Sequence, residues 1–308
     1  MANFRIYNVQ LLPNTADEGE VGVVGYKKLF AKFRAETERA RKDKNLLNYH
    51  RDVGRDAHFG PKEFNVAAGY VWGKFVRYRR TNAVDDLNTN KRLFKEGAKQ
   101  VGVATQTEMM FIFDCQEHFL AIEEAGSSLP PSADFTDILD GYLRPLSKDL
   151  FPKHNLHILL ISDRKSLDVV LQKAMAYSKI DLDLTFANGE VENTLDGLKR
   201  ARIQKLNLTG SPGSDGKISK DLPAFLLDLI HGAIKYGRAK LSYYAAPENG
   251  KGEEVKRIYD SGTAPLKFTK RQSADESDAN FAERCVEELR EIVDGIVPHL
   301  SNDKGIDK

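Results

Sequence analysis

Strand-like and helix-like segments alternate irregularly along the chain, and this order constrains the fold more than any other feature of the sequence. Alternating or short apolar runs predict strands at 4–13, 66–80, 107–124, 156–162 and 179–187. Apolar residues at spacings of three and four predict helices at 26–44, 134–145, 166–178, 222–237 and 279–297. Because the regular strand–helix–strand rhythm of a doubly wound sheet is missing, we predict an α+β protein with mixed or antiparallel sheets and packed helices.

Turn-forming residues suggest how these segments are connected. Residues 50–61 read as a connection, and residues 81–94 read as a turn followed by a helix. Residues 239–268 read as a β-hairpin with its turn at 249–252. We predict two domains, 1–165 with a basic surface and 166–308 with the hairpin and the terminal helix, assembled as a homodimer.

Composition narrows the class of protein. No stretch approaches the roughly 20 apolar residues that cross a bilayer, and the first residues lack the pattern of a signal peptide, so we expect a cytoplasmic protein. Cys115 and Cys285 are far apart in apolar segments, which indicates two core thiols rather than a disulfide or a zinc site.

Charge is divided unevenly along the chain. Residues 1–107 hold 20 Lys and Arg against 12 Asp and Glu, a net charge of +8, which leaves −7 for the remainder. Residues 27–44 and 74–99 each carry +5. Clustered Lys and Arg supply most of the sequence-independent affinity for DNA, so both segments are candidate phosphate-binding surfaces. A solvated helix face remains the alternative interpretation.

The candidate nucleic-acid-binding residues are the cations of these two segments and of a third, weaker segment at 199–205. They are Lys27, Lys28, Lys32, Arg34, Arg39, Arg41, Lys42, Lys44, Lys74, Arg77, Arg79, Arg80, Lys91, Arg92, Lys95, Lys99, Lys199, Arg200 and Arg202. The run "KFVRYRR" at 74–80 predicts a strand that leaves the core toward a charged groove, with aromatic residues that pack rather than stack on bases.

Each candidate catalytic or metal-binding motif lacks a residue that its chemistry requires. The glycine-rich stretch 210–219 has Ile218 where a phosphate-binding loop needs a hydroxyl. His154 and His157 lack the further ligands that zinc needs. Acidic residues near Asp114 and Asp183 have no nearby lysine in the pattern of a metal-dependent nuclease, although acids that assemble only in the folded chain keep that alternative open. We expect no cofactor and no metal.

The C-terminal stretch "AKLSYYAAPENGKGEEVKRIYDSGTAPLKF" resembles the corresponding part of RexA-like phage-exclusion proteins, and so does the central stretch "MMFIFDCQEHFLAIEEAGSSLPPSADFTDIL". The order of elements is similar over most of the chain. The resemblance implies a dimeric protein that binds DNA with little sequence preference and acts with a partner in defence against phage. It implies no catalytic residue.

These observations lead to one prediction and two alternatives. We predict a sequence-nonspecific, double-stranded DNA-binding protein of anti-phage defence that acts with a membrane or effector partner encoded by a neighbouring gene. The alternatives are a metal-dependent nuclease or other phosphoryl-transfer enzyme, and a protein-interaction subunit without a nucleic-acid role.

The terminal helix has an apolar stripe made of Phe281, Cys285, Leu289, Ile292, Val293 and Ile296. Acidic residues occupy much of the remaining surface, so this helix is a poor DNA-binding surface. The stripe either forms a dimer interface or covers the chain's own sheet.

Overall fold

The computed structural model describes residues 1–15, 18–86, 88–89, 91–97, 102–185, 203, 205–214, 216–247 and 253–296, with the backbone alone at 235 and 293–296. The helices are α1 (Val23–Lys42), α2 (Leu46–Tyr49), α3 (Ser132–Leu150), α4 (Arg164–Lys173), α5 (Ala224–Tyr236) and α6 (Asp278–Ile296). The strands are β1 (Ala2–Pro13), β2 (Arg51–Asp52), β3 (Ala57–Val66), β4 (Tyr70–Thr81), β5 (Ala83–Asp85), β6 (Arg92–Lys95), β7 (Gly102–Asp114), β8 (Phe119–Glu123), β9 (His154–Leu160), β10 (Ala176–Thr185), β11 (Lys205–Gly210), β12 (Ile218–Ser219), β13 (Gly237–Ala245), β14 (Val255–Asp260) and β15 (Lys267–Lys270). Helices and antiparallel strand pairs together confirm the predicted α+β fold.

The chain forms two compact units, and each is discontinuous in sequence. The described residues of the first unit fall within 1–5, 13–156 and 268–296, and those of the second within 6–12 and 157–267. The sequence predicts a division after residue 165, with the terminal helix in the second domain. In the structure α6 belongs to the first unit.

A sheet covered by α1 forms the core of the first unit. Strands β8, β7, β4, β3 and β2 lie side by side in that order. Helix α1 buries an aromatic face on this sheet: the ring centroids of Phe30 and Phe113 are 4.5 Å apart, and those of Phe33 and Phe75 are 6.4 Å apart. Because the buried residues recur at helical spacing, the cations of α1 remain on its outer side.

Strand β3 begins inside the segment predicted as a connection and occupies its last five residues, 57–61. Gly60 and Pro61 argue against a strand in the sequence, because proline cannot donate to a neighbouring strand and glycine weakens pairing. The pairing of β3 with β4 shifts register between Pro61 and Glu63, and this bulge accommodates the proline. The turn and helix predicted at 81–94 were also wrong, since β5 and β6 form a two-stranded ribbon there.

Helix α3 continues past Pro145, where the sequence analysis ended it. A proline inside a helix leaves the carbonyl of the fourth preceding residue without its usual donor. Here that carbonyl belongs to Gly141, and Arg51 Nη2 donates to it at 3.4 Å. The long-range contact supplies the missing donor, which no local pattern reveals.

The apolar stripe of α6 packs inside its own unit. Phe281, Cys285 and Leu289 are buried, and the Phe281 ring lies 6.2 Å from that of Phe4. These three residues therefore cover the unit's own core, which is the second of the two interpretations of the stripe and excludes them from a dimer interface. The Val293 and Ile296 side chains lie outside the described residues.

The second unit is built on an antiparallel sheet in the order β11-β10-β13-β14, with β12 beside β10. Ile180, Leu182 and Leu184 of β10 pack with Ile230 and Ala233 of α5 in its core. The predicted hairpin is confirmed by the pairing of β13 with β14, while its turn at 249–252 lies outside the described residues.

Candidate nucleic-acid interface

Three cations of α1 follow one flank of the helix. Lys27, Arg34 and Arg41 are seven residues apart, so each step covers two turns and about 10.5 Å along the axis. Lys27 donates to the carbonyl of Ala68, and Arg41 donates to the carbonyl of Lys62. Arg34 forms an ion pair at 2.6 Å with a glutamate one turn later. Positively charged side chains thus lie along this flank as far as the C-terminal end of α1.

The other cations of α1 differ in their partners. Lys32 pairs with Asp149 at 3.3 Å, and Arg39 pairs with a glutamate on the same helix. Lys28 and Lys42 are exposed, and neither has a carboxylate partner within the described part of the chain. Lysines without such a partner are the ones that an external anion binds without displacing a protein carboxylate.

The C-terminal end of α1 holds Lys44 in an unusual backbone conformation. The amide of Asn45 donates to the Ala40 carbonyl at 2.8 Å, and the amide of Lys44 donates to the Arg41 carbonyl at 3.1 Å. This hydrogen-bond pattern is a Schellman motif, in which the left-handed position is usually glycine. Lys44 occupies it with a φ of 56°. A cation is present where backbone energetics favour glycine.

Strand β4 directs most of its cations toward protein acceptors. Lys74 lies 2.6 Å from Asp278, Arg80 lies 2.6 Å from Glu96, and Arg77 donates to two loop carbonyls. Among the cations of "KFVRYRR", Arg79 alone is exposed and without such a partner in the described chain. Phe75, Val76 and Tyr78 are buried, so the aromatic residues pack in the protein.

The remaining predicted cations contribute little to one surface. Arg92 pairs with Asp85 within the β5–β6 ribbon, while Lys91 and Lys95 are exposed there. Four other predicted residues lie outside the described part of the chain. They are Lys99, Lys199, Arg200 and Arg202.

A cavity of about 330 Å³ opens beside the C-terminal end of α1. Its rim carries the cations Arg41, Lys44 and Lys62, and none of the described residues that line it is acidic. Its other lining residues come from α2, β3, β4, β7 and the segment between α2 and β2. They are Leu46, Leu47, His50, Pro61, Val76, Tyr78, Val103 and Gln106. The cavity therefore combines a largely apolar wall with net positive charge.

His50 and Tyr78 form the buried polar part of the wall. His50 Nε2 lies 3.1 Å from the Pro61 carbonyl, and Nδ1 lies 3.1 Å from Tyr78 Oη. A carbonyl only accepts, so Nε2 carries the proton and Nδ1 accepts from the tyrosine hydroxyl. Burial lowers the pKa of His50 to about 4, and burial raises the pKa of Tyr78. Both groups are neutral near pH 7.

A smaller cavity of about 150 Å³ adjoins the first and shares Arg41 and Lys62 with it. Lys62 also pairs with Glu108, and the hydrogen bond from Lys62 lowers the pKa of Glu108. This second cavity includes Glu38 and Glu63, which reduce its positive charge. Arg41 and Lys44 are thus the rim cations most available to an anion.

Several residues of this site escaped the sequence analysis. His50 lies in the segment that was predicted as a connection, Lys62 follows that segment directly, and Gln106 directly precedes a predicted strand. Lys62 is a single cation next to a glutamate, which carries no charge signal. Had 57–66 been predicted as a strand, these residues would have been expected beside the basic helix.

The acidic residues considered for a nuclease are engaged elsewhere. Asp114 is fully buried and pairs with Arg290, and Glu124 pairs with Arg5 at 2.6 Å. Asp183 pairs with Lys205 at 3.4 Å. Among the residues that the structure describes, no group of three or more His, Cys, Asp or Glu side chains is placed to hold a metal ion.

The two cysteines are core thiols, as predicted. Both are free and buried. Burial raises the pKa of each thiol to about 12, so neither is a thiolate near neutral pH.

Comparison with known families places the chain in a family. A protein-family profile described as a domain of unknown function, DUF4747, matches residues 2–293. The chain belongs to this family. The DUF4747 match includes every residue that lines the cavity. No curated protein matches the sequence. Within the described residues, no helix is long and apolar enough to cross a membrane.

Proposed function

We propose that this DUF4747 protein binds nucleic acid, including duplex DNA, without sequence preference. The binding surface is the outer side of α1 together with the rim of the large cavity. One observation carries the proposal. Lys28, Arg41, Lys42 and Lys44 are exposed and have no carboxylate partner in the described part of the chain. Cations along one helix that have no carboxylate partner are suited to phosphates, which need charge density rather than a fixed motif.

The ion pairs refine the set of contact residues. Lys74, Arg80 and Arg92 each have an acidic partner, so a phosphate would have to displace a protein carboxylate to bind them. The proposed contacts are therefore fewer than the cations named from the sequence. Arg34 and Arg39 contribute to the local positive field while they keep their own glutamates.

The biological setting of the proposal comes from the RexA-like resemblance. It comprises a cytoplasmic homodimer that acts in anti-phage defence together with a membrane or effector protein encoded by a neighbouring gene. A two-fold dimer would present two copies of the α1 surface to one duplex, and duplication raises affinity through effective concentration. The apolar stripe at Phe281, Cys285 and Leu289 is not the interface in this proposal, because it is already buried.

The test is binding of a random-sequence duplex as a function of salt. Log affinity should fall by about 0.9 for each phosphate contacted per tenfold increase in salt. The variant Lys28→Gln/Lys42→Gln/Lys44→Gln should bind more weakly, and its salt slope should be shallower by up to about 2.7. The control Lys173→Gln/Lys220→Gln/Lys256→Gln removes the same charge from exposed sites in the second unit and should leave the slope unchanged.

Two results would reject the proposal. One is the absence of salt-dependent binding, and the other is an equal loss of affinity in both triple variants. A parallel series with magnesium reports whether the duplex is cleaved, which is the result expected of the alternative nuclease.

A further inference from the structure

The large cavity has features that phosphate binding alone does not require. Its buried part consists of His50, Pro61, Val76 and Tyr78, and its exposed part carries Arg41 and Lys44. Its volume of about 330 Å³ lies within the range of sites that enclose small organic ligands. A ligand matched to this cavity has an apolar or aromatic body and a negatively charged end.

We infer that the cavity binds one unpaired nucleotide of a nucleic-acid strand, with its base in the apolar part and its phosphates at Arg41 and Lys44. The inference rests on the proposed function, since it adds a base-binding site to a phosphate-binding surface. Every nucleobase has an apolar face that stacks on aromatic and aliphatic side chains, so stacking tolerates any base. The Tyr78 ring and the aliphatic groups of Leu47 and Val76 supply such contacts.

The polar groups of the cavity fit a site that does not select a particular base. The Tyr78 hydroxyl is used by His50, and the His50 Nε2 proton is used by the Pro61 carbonyl. The Gln106 amide donates to Glu108 at 2.9 Å and still has a carbonyl oxygen. Strong base selection needs a bidentate match to a base edge, and the remaining N–H and oxygen of Gln106 lie on an exposed side chain where water competes for them.

A base inside the cavity must leave its duplex stack. Extrusion of a paired base costs free energy that an unpaired nucleotide does not need, so strands with unpaired nucleotides should bind more tightly. One stacked base corresponds to an affinity gain of about tenfold. The same chemistry is present in a free mononucleotide, and the experiment separates the two sources.

The experiment compares three fluorescent probes by anisotropy: a blunt duplex, the same duplex with a short unpaired tail, and that duplex with an abasic tail. The native protein should bind the tailed duplex about tenfold more tightly than the blunt duplex. The abasic tail keeps the phosphates and lacks the bases, so it should give little of this gain.

Two variants fill the cavity, and a third variant, outside the cavity, serves as the control. Leu47→Trp and Val103→Trp place a large ring at partly exposed lining positions, and either should abolish the preference for the tail while blunt-duplex affinity stays within about twofold. Val169→Trp changes an exposed valine of the second unit and should keep the preference. Thermal melting shows which cavity variant is folded, and a single folded variant is sufficient.

Each outcome decides between the proposals. Equal binding of blunt and tailed duplexes by the native protein, or an equal gain from the abasic tail, overturns the inference and leaves phosphate binding intact. No binding of any probe rejects the proposed function. In that case, saturable binding of free AMP and UMP that Leu47→Trp abolishes supports the nucleotide site with a free ligand. If decanoate removes the tighter binding of the tailed duplex and AMP does not, the inference is overturned in favour of a ligand with an apolar body and a carboxylate.

Discussion

The hydroxyl of Tyr78 donates to Nδ1 of His50 across 3.1 Å, which joins strand β4 to the segment that follows α2. Nε2 of the same imidazole donates a hydrogen bond to the Pro61 carbonyl. A buried, neutral histidine thus connects three parts of the cavity wall. Its protonation would remove the acceptor that the tyrosine uses.

This pair predicts a loss of stability in acid. Burial lowers the pKa of folded His50 from 6.5 to about 4, so the unfolded chain binds more protons between these values. The contribution of His50 to the free energy of unfolding should therefore be complete above pH 6.5. It should decrease by about 3 kcal/mol as the pH falls toward 4. Urea unfolding measured across this range checks the decrease.

The variant His50→Gln keeps a donor for Pro61 and does not titrate, so its free energy of unfolding should depend less on pH. Burial also lowers the pKa of His118, which leaves a smaller dependence in the variant. If His50→Gln and the native protein have the same slope, His50 is not the titrating group.

Lys44→Gly should separate binding from folding. Glycine at the left-handed position of the Schellman motif relieves backbone strain, so the variant should be more stable by about 1 kcal/mol. It also removes a rim cation, so duplex and tailed-duplex affinity should fall. Denaturant unfolding and anisotropy on the same sample measure both effects. A variant with unchanged affinity would exclude Lys44 from the binding surface.

Gly60→Ala should damage the cavity wall. An added Cβ would lie 2.9 Å from His50 Nε2 and closer still to the ring carbons. Because the buried ring cannot move aside freely, the substitution should reduce the free energy of unfolding by about 2 kcal/mol. Gly97→Ala is the matched control, since a Cβ there meets no atom within 4 Å. The double variant with His50→Ala should recover part of the loss, and strict additivity would contradict this explanation.

Arg290→Met should weaken the attachment of α6 to β7. The Asp114 side chain is fully buried, and Arg290 is its ion-pair partner with 41% of its own side chain exposed. Removal of the arginine should cost about 2 kcal/mol, less than for a fully buried pair because solvent screens the exposed guanidinium. Arg39→Met, at an exposed helix pair, should cost under about 1 kcal/mol. Equal losses would show that the Asp114 pair has no special role.

Local patterns were sufficient for several elements. The apolar spacing in α1 predicted its buried face at Phe30 and Phe33, and the alternation in 239–268 predicted the pairing of β13 with β14. These predictions hold because helix and strand periodicity depend on neighbours in sequence. The strand β3 was missed because Gly60 and Pro61 are acceptable there only through a bulge and a histidine ring from another segment.

The sequence alone determined that this is an α+β chain with a basic N-terminal third and two core thiols. Which cations have acidic partners depends on the folded chain, since Lys74 pairs with Asp278 on another element and Arg80 pairs with Glu96 beyond the β5–β6 ribbon's turn. The tertiary structure also decided that Arg41, Lys44 and Lys62 share one cavity with His50 and Tyr78. Charge density and periodicity are sums over local residues, whereas ion pairing and cavity shape depend on distances that folding sets.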